Sequence, residues 1–377
     1  MNNVYEKALE LHKKYGGKIE IKNKVRLKSA EDLSLAYTPG VAEVSRAISH
    51  DPSTAYVYTI KRNSIAVVSD GSAILGLGNL GALAAIPVME GKAALFKELA
   101  DIDAFPICLE TQDAEEIIKT VKNISPVFGG INLEDVSAPR CFEIVERLKS
   151  ELDIPVIHDD QSGSAIVVLA ATINALKLRG SGKDDTKIVI NGAGAAGTAV
   201  AKLLIDYGFK NVTVCDSNGV ISEERSNLTG HKLELARLTK KSNGDLRSAL
   251  QKADMFIGLS KGGTLGIEAV KGMNKKAIVF ALANPIPEIM PEEARAAGAW
   301  IVATGRSDFP NQINNVLGFP GIFRGALDNR VKTITDSMLI KAAENLAAQV
   351  KNLAPENLLP NILDKTAVQA VAKAITD

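Results

Sequence analysis

The segment KIVINGAGAAGTAVAKLLIDYGFKNVTVCD, residues 187–216, decides the fold. Its β-branched start leads directly into the pattern Gly192-x-Gly194-x-x-Gly197, which opens an amphipathic helix. A second β-branched run follows the helix and ends at Asp216, in the range of roughly 20 residues expected for an acid that binds a ribose. A tight turn without a ligand is the alternative, but strand, helix and acid together indicate a dinucleotide-binding βαβ unit.

The same segment predicts the cofactor. We expect a pyrophosphate to lie on the helix N-terminus. The residues around it are Gly192, Gly194, Ala195, Ala196 and Gly197. Asp216 can accept hydrogen bonds from both ribose hydroxyls of NAD and would repel the 2′-phosphate of NADP. Ser217 and Asn218 carry no charge that offsets this repulsion, although Arg225 lies a few residues on. The prediction is NAD as the preferred cofactor, with NADP tolerated.

Short apolar runs alternate with helical patterns along most of the chain, which is typical of parallel sheets with helices on both faces. The runs are 64–70, 104–110, 127–135, 154–160, 187–190, 211–216, 254–260, 276–283 and 299–305. We predict an α/β protein of two domains. Residues 1–161 form an α/β domain for substrate and metal, and residues 162–334 form a Rossmann-like doubly wound sheet. A long apolar helix near 161–180 joins them, and C-terminal helices over about 335–377 can pack on the first domain.

The composition excludes several classes of protein. The 377 residues hold 44 Lys and Arg against 44 Asp and Glu, whereas proteins that bind nucleic acid or membrane surfaces normally show a basic excess. No uninterrupted apolar run approaches the ~20 residues of a membrane span. Three scattered cysteines in apolar segments are typical of buried thiols in a reducing compartment: Cys108, Cys141 and Cys215. We expect a cytoplasmic protein that binds neither nucleic acid nor membrane.

A second glycine pattern, Gly76-x-Gly78-x-x-Gly81, does not meet the requirements for nucleotide binding. The letters GSAIL separate it from the preceding strand, and the next strand ends more than thirty residues later. A glycine pattern without βαβ spacing is weak evidence. Taken alone, it predicts a loop that allows close backbone packing.

Two acidic clusters stand at the ends of apolar runs. Glu134 and Asp135 follow one run, and Asp159 and Asp160 follow another. Carboxylates at the carboxyl ends of parallel strands project into the crevice where α/β proteins bind ligands, and oxygen donors suit Mg²⁺ or Mn²⁺. Helix capping or turn formation is the alternative for either cluster. On composition alone, Lys92 is expected to be a solvated surface lysine.

Several motifs occur in an order that resembles the malic enzymes in their compact prokaryotic form. They are LAYTPGVAEV, VVSDGSAILGLGNLGALAAIPVMEGKAALFK, NLEDVSAPRCFEI, IPVIHDDQSGSA, the GAGAAG turn, ALANPIPEI and GRSDFPNQINNVLGFPGIFRGAL. They extend from about residue 20 to residue 330. In this resemblance LGLGNLG belongs to the substrate domain, beside the catalytic pocket.

The resemblance implies site residues by motif. It makes Tyr37, Lys92 and Asp159 catalytic, with Asp159 supporting Lys92. The implied metal ligands are Glu134, Asp135 and Asp160. Asn284 and Asn315 match asparagines that contact the substrate, and the resemblance implies that Asn284 also contacts the cofactor. Larger malic enzymes carry an arginine that binds a substrate carboxylate where this chain has Ala73.

The implied reaction is oxidative decarboxylation of L-malate to pyruvate and CO₂ with reduction of NAD(P), dependent on Mg²⁺ or Mn²⁺. Lys92, with its pKa lowered in a dry pocket, is expected to act as the base, and Tyr37 as the acid that protonates C3. The amphipathic helix over residues 4–15 predicts a homodimer. A metal-independent two-domain dehydrogenase and a non-catalytic nucleotide-responsive binding protein are the alternatives.

Overall fold

The computed structural model of the chain describes residues 2–228, 230–240 and 242–376. Within these ranges the helices are α1 (Asn2–Tyr15), α2 (Ala30–Ala36), α3 (Val41–His50), α4 (Ala55–Tyr58), α5 (Ala82–Ala100), α6 (Ala114–Ile124), α7 (Arg140–Glu151), α8 (Asp159–Arg179), α9 (Ala195–Asp206), α10 (Gly230–Leu238), α11 (Leu246–Leu250), α12 (Ile267–Lys271), α13 (Pro291–Ala296), α14 (Phe319–Asn329), α15 (Asp336–Ala347) and α16 (Lys365–Ala372). Short 3₁₀ helices lie at Pro52–Thr54, Ile60–Asn63, Ser125–Val127 and Asn315–Leu317.

The strands form two sheets. They are β1 (Ser64–Ser69), β2 (Asp103–Cys108), β3 (Gly130–Leu133), β4 (Val156–His158), β5 (Lys187–Asn191), β6 (Asn211–Asp216), β7 (Gly219–Val220), β8 (Met255–Gly258), β9 (Ala277–Ala281) and β10 (Ala299–Thr304). The first sheet has the order β2-β1-β3-β4 and the second β10-β9-β8-β5-β6-β7. Every pairing is parallel except that of β6 with β7. The predicted α/β class and the Rossmann-like sheet are confirmed. Among the strands of the described residues, only the two-residue β7 does not correspond to a predicted apolar run.

Helix α8 joins the two sheets, as predicted. It starts directly after β4 and runs for 21 residues at the centre of the protein. By length and composition it could cross a membrane, which corrects the expectation that no run approaches that length. In this structure 72% of its most apolar window is buried, which is the pattern of a core helix. It forms one apolar core together with β1, β5, α9 and the C-terminal helices.

The C-terminal helices contact both units. Asn174 of α8 donates hydrogen bonds to the carbonyl of Ala347, the last residue of α15, and to that of Leu358, at 2.9 Å each. On the other side, the ring of Phe96 on α5 packs edge-on against Phe319 of α14, with centroids 4.6 Å apart. These contacts attach the C-terminal part of the chain to α8 and to α5.

The N-terminal segment, residues 4–63, contains no buried residue. Helix α1 leaves its apolar side chains in solvent: Val4, Tyr5, Leu9, Leu11 and Tyr15 are all at least half exposed. The segment touches the rest of the chain through polar contacts, such as Lys18 Nζ to the Pro87 carbonyl at 2.5 Å and Lys24 to Asp103 at 3.1 Å. Within one chain it has no core of its own.

Candidate functional site

The predicted acidic clusters meet at the carboxyl edge of the first sheet. Glu134 and Asp135 follow β3, and α8 begins with Asp159 and Asp160 directly after β4. Leu133 lies opposite His158 in the parallel register of β3 and β4, so the two strands end side by side. Parallel strands therefore place all four carboxylates in one crevice, as the strand-end argument predicted.

Lys92 lies in this crevice and is only 8% exposed. Its Nζ is 2.6 Å from Asp159 Oδ2 and 2.9 Å from Glu134 Oε1. The lysine shares a helix face with Met89 and Phe96, three residues before and four after it, and both are fully buried. The composition-based expectation of a surface lysine is wrong, because that face of α5 packs on the core.

The electrostatics of Lys92 differ from expectation. Burial by itself would lower its pKa, but the charges and hydrogen bonds of Asp159 and Glu134 outweigh burial, and the pKa is raised. The expected lowering is therefore wrong for this set of side chains. Glu134 belongs both to the pair with Lys92 and to the acidic cluster. The charge of that cluster therefore affects the pKa of Lys92.

Three carboxylates could hold a metal ion. One oxygen each from Glu134, Asp135 and Asp160 lie within 4.8 Å of one another. Burial, with the neighbouring charges of Asp160 and Glu134, raises the pKa of Asp135 to about 8. Asp135 Oδ2 is buried and has no hydrogen-bond partner among the described residues. An orphaned carboxylate oxygen among other carboxylates is what a hard cation satisfies, so this donor set fits Mg²⁺ or Mn²⁺.

Asp159 is not part of that set and pairs with Lys92 instead. Its side chain is fully buried, and Oδ2 also accepts a hydrogen bond from Asn315 Nδ2 at 2.5 Å. Its carboxylate folds over Gly163 one turn later, where a Cβ would lie 1.9 Å from Oδ1. Sequence reasoning did not single out Gly163, although it stands in the quoted HDDQSG motif.

Asn284 lies on the loop after β9 and is exposed. Its backbone touches the first glycine loop: a Cβ at Gly76 would lie 2.4 Å from the Asn284 carbonyl oxygen. Residues 75–81 contain no helix, and α5 begins only at Ala82. The prediction that LGLGNLG is a close-packing loop is confirmed, and the loop packs against a predicted site residue. Buried Glu288 holds the Asn284 loop by accepting a hydrogen bond from the Ala283 N–H at 3.0 Å.

The second glycine motif has the form of a nucleotide turn. A Cβ at Gly192 would lie 2.3 Å from the Leu259 carbonyl oxygen, and one at Gly197 would lie 1.9 Å from the Gly192 carbonyl oxygen. Both positions therefore require glycine for close packing. Gly194, at the N-cap of α9, is exposed and faces open space. The turn thus presents bare backbone and a helix N-terminus, the surface that a pyrophosphate uses.

Asp216 ends β6 as predicted, but it is surrounded by cations. Arg225 donates to both of its oxygens, at 2.8 and 3.2 Å, and Lys232 Nζ lies 2.7 Å from Oδ2. Burial opposes ionisation of Asp216, but the hydrogen bonds from Arg225 and Lys232 outweigh burial and lower its pKa to about 2. Lys232 went unnoticed because 16 residues and a loop separate it from Asp216.

Tyr37 does not join the site. It follows α2, a helix without a buried residue, and its side chain is 66% exposed. None of the described hydrogen bonds links it to Lys92 or to the carboxylates. The residues at this edge that sequence reasoning missed are Asp70, Arg140, Gly163 and Phe319, whose ring centroid lies 4.1 Å from Lys92 Nζ.

Two family models match the chain. The model described as malic enzyme, N-terminal domain, matches residues 16–149, and that described as malic enzyme, NAD binding domain, matches residues 161–377. A bifunctional malic/malolactic enzyme of Bacillus subtilis is 54% identical, with 99% of this chain and 92% of the relative covered. An NAD-dependent malic enzyme of Geobacillus stearothermophilus is 52% identical, covering 100% and 79%.

Solved structures agree with these matches. The NAD-dependent malic enzyme of Thermotoga maritima superimposes with a TM-score of 0.95 at 52% identity, over 98% of each chain. A malic enzyme of Pyrococcus horikoshii gives a TM-score of 0.93 at 49% identity, over 99% of this chain and 89% of its own. Among the sequence relatives, an NADP-dependent malic enzyme of Rhizobium meliloti is 49% identical, and the match covers 94% of this chain and 47% of the relative.

Proposed function

The chain belongs to the malic enzyme family, and from that premise we propose how its residues share the work of the reaction. It is an enzyme that oxidatively decarboxylates L-malate to pyruvate and CO₂ with reduction of NAD(P). The observation that carries the division of roles is Lys92, buried between Asp159 and Glu134 beside a three-carboxylate cluster.

Glu134, Asp135 and Asp160 are the residues that would hold the divalent ion. When bound, Mg²⁺ or Mn²⁺ polarises the C2 oxygen of the substrate and stabilises the negative charge that decarboxylation leaves there. The fit rests on the orphaned Asp135 Oδ2 and on the absence of a lysine or arginine paired with Asp135 or Asp160 among the described residues. Three carboxylates leave open positions for substrate oxygens.

Lys92 is assigned as the base that accepts the proton of the C2 hydroxyl while the substrate is oxidised at C2. It can do so only in its neutral form, and a cation held by Glu134, Asp135 and Asp160 would favour that form by offsetting the charge of the carboxylates that raise the pKa of Lys92. Asp159 and Glu134 fix its Nζ from two sides, and the Phe319 ring closes a third. Such a fixed, water-poor position is what general acid–base catalysis requires. Asn315 and Asn284 are assigned to orient the substrate, with Asn284 also contacting the cofactor. The hydrogen bond from Asn315 to Asp159 and the packing of the Asn284 loop against Gly76 support this assignment.

The turn from Gly192 to Gly197 would hold the pyrophosphate of the nucleotide, whose nicotinamide, when bound, would accept the hydride from C2. NAD is preferred over NADP, in line with the 52% identical relative and with Asp216 at the end of β6. Arg225 and Lys232 reduce the expected preference for NAD. They neutralise Asp216 in this structure, and both are cations that a 2′-phosphate could use.

The active form is a homodimer in which a second copy covers the N-terminal segment. An isolated chain leaves residues 4–63 without a buried residue, and apolar stripes of this size mark interaction surfaces. The loop beside Asn284 adds an apolar rim of its own, with Leu75, Leu77 and Leu80 each at least half exposed. A two-fold pairing would cover each segment with the other copy.

Such a pairing accounts for Tyr37. Its side chain is 66% exposed and makes no described contact with its own Lys92, and in a homodimer it would be available to protonate C3 of the enol product in the crevice of the partner copy. Tyr37 is therefore assigned as the general acid of the neighbouring site. The free cysteines are consistent with a reducing cytoplasm, to which the protein is assigned.

Initial-rate kinetics with L-malate test the proposal. Wild-type protein should reduce NAD, more efficiently than NADP, only when Mn²⁺ or Mg²⁺ is present. Chelation followed by added Mn²⁺ should abolish and then restore turnover. Turnover that survives chelation would favour a metal-independent dehydrogenase, and the absence of nucleotide reduction with malate would favour a non-catalytic nucleotide-binding protein.

A second activity is favoured by one relative. The 54% identical protein of Bacillus subtilis is named a bifunctional malic/malolactic enzyme. If the reduced nucleotide stays bound, the same Lys92 can return a proton to the C2 oxygen as pyruvate is reduced to lactate. Assay of lactate alongside pyruvate, with no added reduced nucleotide, distinguishes the two outcomes.

A further inference from the structure

Arg140 is a charged residue at the active edge to which the reaction outlined above gives no role. It is the first residue of α7, five positions after Asp135. Its Nη2 donates to Asp70 Oδ2 at 2.7 Å and to Ser72 Oγ at 3.0 Å. Asp70 is buried at the carboxyl end of β1, the strand beside β3. The guanidinium therefore lies at the same edge of the sheet as the metal ligands.

Backbone contacts tie this arginine to the acidic cluster. The Ala73 N–H donates to the Asp135 carbonyl at 2.9 Å, and the Ser137 N–H donates to Ser72 Oγ at 2.9 Å. The loop after β1 and the loop after β3 are thus held together, with Arg140 bound to the first and Asp135 part of the second. The arginine and the cluster cannot separate without breaking both connections.

The first turn of α7, which begins with Arg140, also contacts the nucleotide domain. Two residues on, the ring of Phe142 packs against His231 with centroids 4.5 Å apart. A ring nitrogen of His231 lies 2.9 Å from the carbonyl oxygen of Ala193, within the glycine turn. The first turn of α7 is therefore linked to the acidic cluster on one side and, through Phe142 and His231, to the nucleotide turn on the other.

The hydrogen-bonding capacity of Arg140 is only partly used. A structural arginine–carboxylate pair commonly uses two parallel hydrogen bonds, but only Nη2 contacts Asp70. Nε is buried without a partner, and no described residue accepts a hydrogen bond from Nη1. The side chain is 29% exposed, so part of the guanidinium remains open to a ligand.

Charge balance gives the chemistry of that ligand. Lys92 and a divalent ion together do not offset the four carboxylates of the crevice, yet malate brings two more negative charges. The charge of Arg140 is already shared with buried Asp70, but its unpartnered Nε still offers this edge a donor that can bind a carboxylate. A cation on the carboxylate that leaves as CO₂ would stabilise the ground state and slow its loss. The retained carboxylate is the better match.

We propose that Arg140 binds the substrate carboxylate that is retained in pyruvate. This inference rests on the proposed malate activity, which wild-type kinetics test separately. Asp70 and Ser72 act as positioning residues that hold the guanidinium in place. Ala73 cannot bind a carboxylate through its side chain. If Arg140 binds that carboxylate, no charged residue is needed at position 73.

The test compares Arg140→Ala and Arg140→Lys with Arg147→Ala, a control on the same helix whose arginine pairs with surface glutamates. Arg140→Ala should raise the KM for malate roughly 10- to 100-fold, the value of a charge-assisted hydrogen bond. It should raise the KM for pyruvate similarly in metal-dependent C3 proton exchange, and leave the Kd for NAD within about twofold. Arg140→Lys should recover part of both KM effects, and Arg147→Ala should change none of them.

Other outcomes overturn the proposal. A rise in KM for malate without one for pyruvate would place Arg140 on the leaving carboxylate. A weakened Kd for NAD with unchanged substrate KM would make the cofactor phosphate its ligand. A lower kcat and Tm with unchanged KM would make it purely structural. If Arg140→Ala does not fold because Asp70 is left unpaired, Arg140→Lys carries the test, and KM values equal to wild type would then contradict the proposal.

Discussion

The carboxyl edge of the first sheet and the N-terminal segment over residues 4–63 contrast strongly in burial. At the sheet edge, Lys92, Glu134 and Asp159 are at most 8% exposed and hold one another within 2.9 Å. In the N-terminal segment no residue is buried, and Tyr37 is 66% exposed. Yet both regions carry residues that the malic enzyme resemblance makes catalytic.

The difference teaches which half of the reaction a single chain can assemble. The proposed base, its orienting carboxylate and the proposed metal ligands are placed by strand ends and by one buried helix face, which pack in two apolar clusters of the same chain. Tyr37, the proposed acid, is on a segment whose position no core determines. With the proposed roles, the groups for oxidation lie within one chain, whereas protonation of the product depends on what covers the segment.

Replacing Lys92 should have the largest effect. Lys92→Ala removes the base and leaves Asp159 buried without its cation, so malate oxidation should fall by about 10⁴-fold or more. Stopped-flow measurement of nucleotide reduction gives the rate. Lys97→Ala, on the exposed face of the same helix, is the matched control and should stay near wild type. A Lys92→Ala variant that retains a tenth of wild-type activity would contradict the role of Lys92 as the base, and with it the contrast between the two regions.

Metal binding provides the next largest effect. Asp160→Asn removes one of three carboxylates, so turnover should fall by about 10³-fold at low Mn²⁺ while the Kd for NAD stays near normal. Isothermal titration with Mn²⁺ and with NAD separates the two sites. Asp153→Asn, at an exposed position paired only with Lys332 among the described residues, is the control. Unchanged metal dependence in Asp160→Asn would remove Asp160 from the metal site.

Cofactor choice should respond more modestly. Asp216→Ser removes the acid but leaves Arg225 and Lys232, so the ratio of kcat/KM for NAD over NADP should fall by roughly 10- to 100-fold and can invert. Adding Arg225→Ala and Lys232→Ala to that variant should weaken NADP again. If the triple variant uses NADP as well as Asp216→Ser does, the two cations have no part in the choice.

Strand ends and the glycine turn were predictable from sequence because their signals are local. The runs before Glu134 and Asp159 identified the carboxylates, and the Gly192–Gly197 spacing identified the nucleotide turn. The pKa of Lys92 was not predictable, since it depends on two carboxylates 42 and 67 residues away, brought together by strand pairing. Lys232 and Arg140 were missed for the same reason: each contacts a residue distant in sequence.

The resemblance to malic enzymes identified Tyr37 and Lys92 by motif, which composition could not do. Composition placed Lys92 on the surface, and burial of one face of α5 overrode it. Neither source could predict that Tyr37 would stand outside its own crevice. That position depends on what packs against residues 4–63, and a partner surface has no signature within one chain beyond exposed apolar residues.

The central claim, that the base and the acid of one site come from different copies, can be measured with mixed dimers. Lys92→Ala and Tyr37→Phe subunits carrying different affinity tags are co-expressed, and the heterodimer is isolated through both tags. The Tyr37→Phe homodimer should be slow in C3 proton exchange of pyruvate, and a Tyr58→Phe homodimer, with a similarly exposed tyrosine, should match wild type. The heterodimer contains one crevice with both Lys92 and Tyr37 intact, so its malate turnover should be about half that of wild type. A heterodimer no more active than its two parent variants would show that each tyrosine serves its own chain or none.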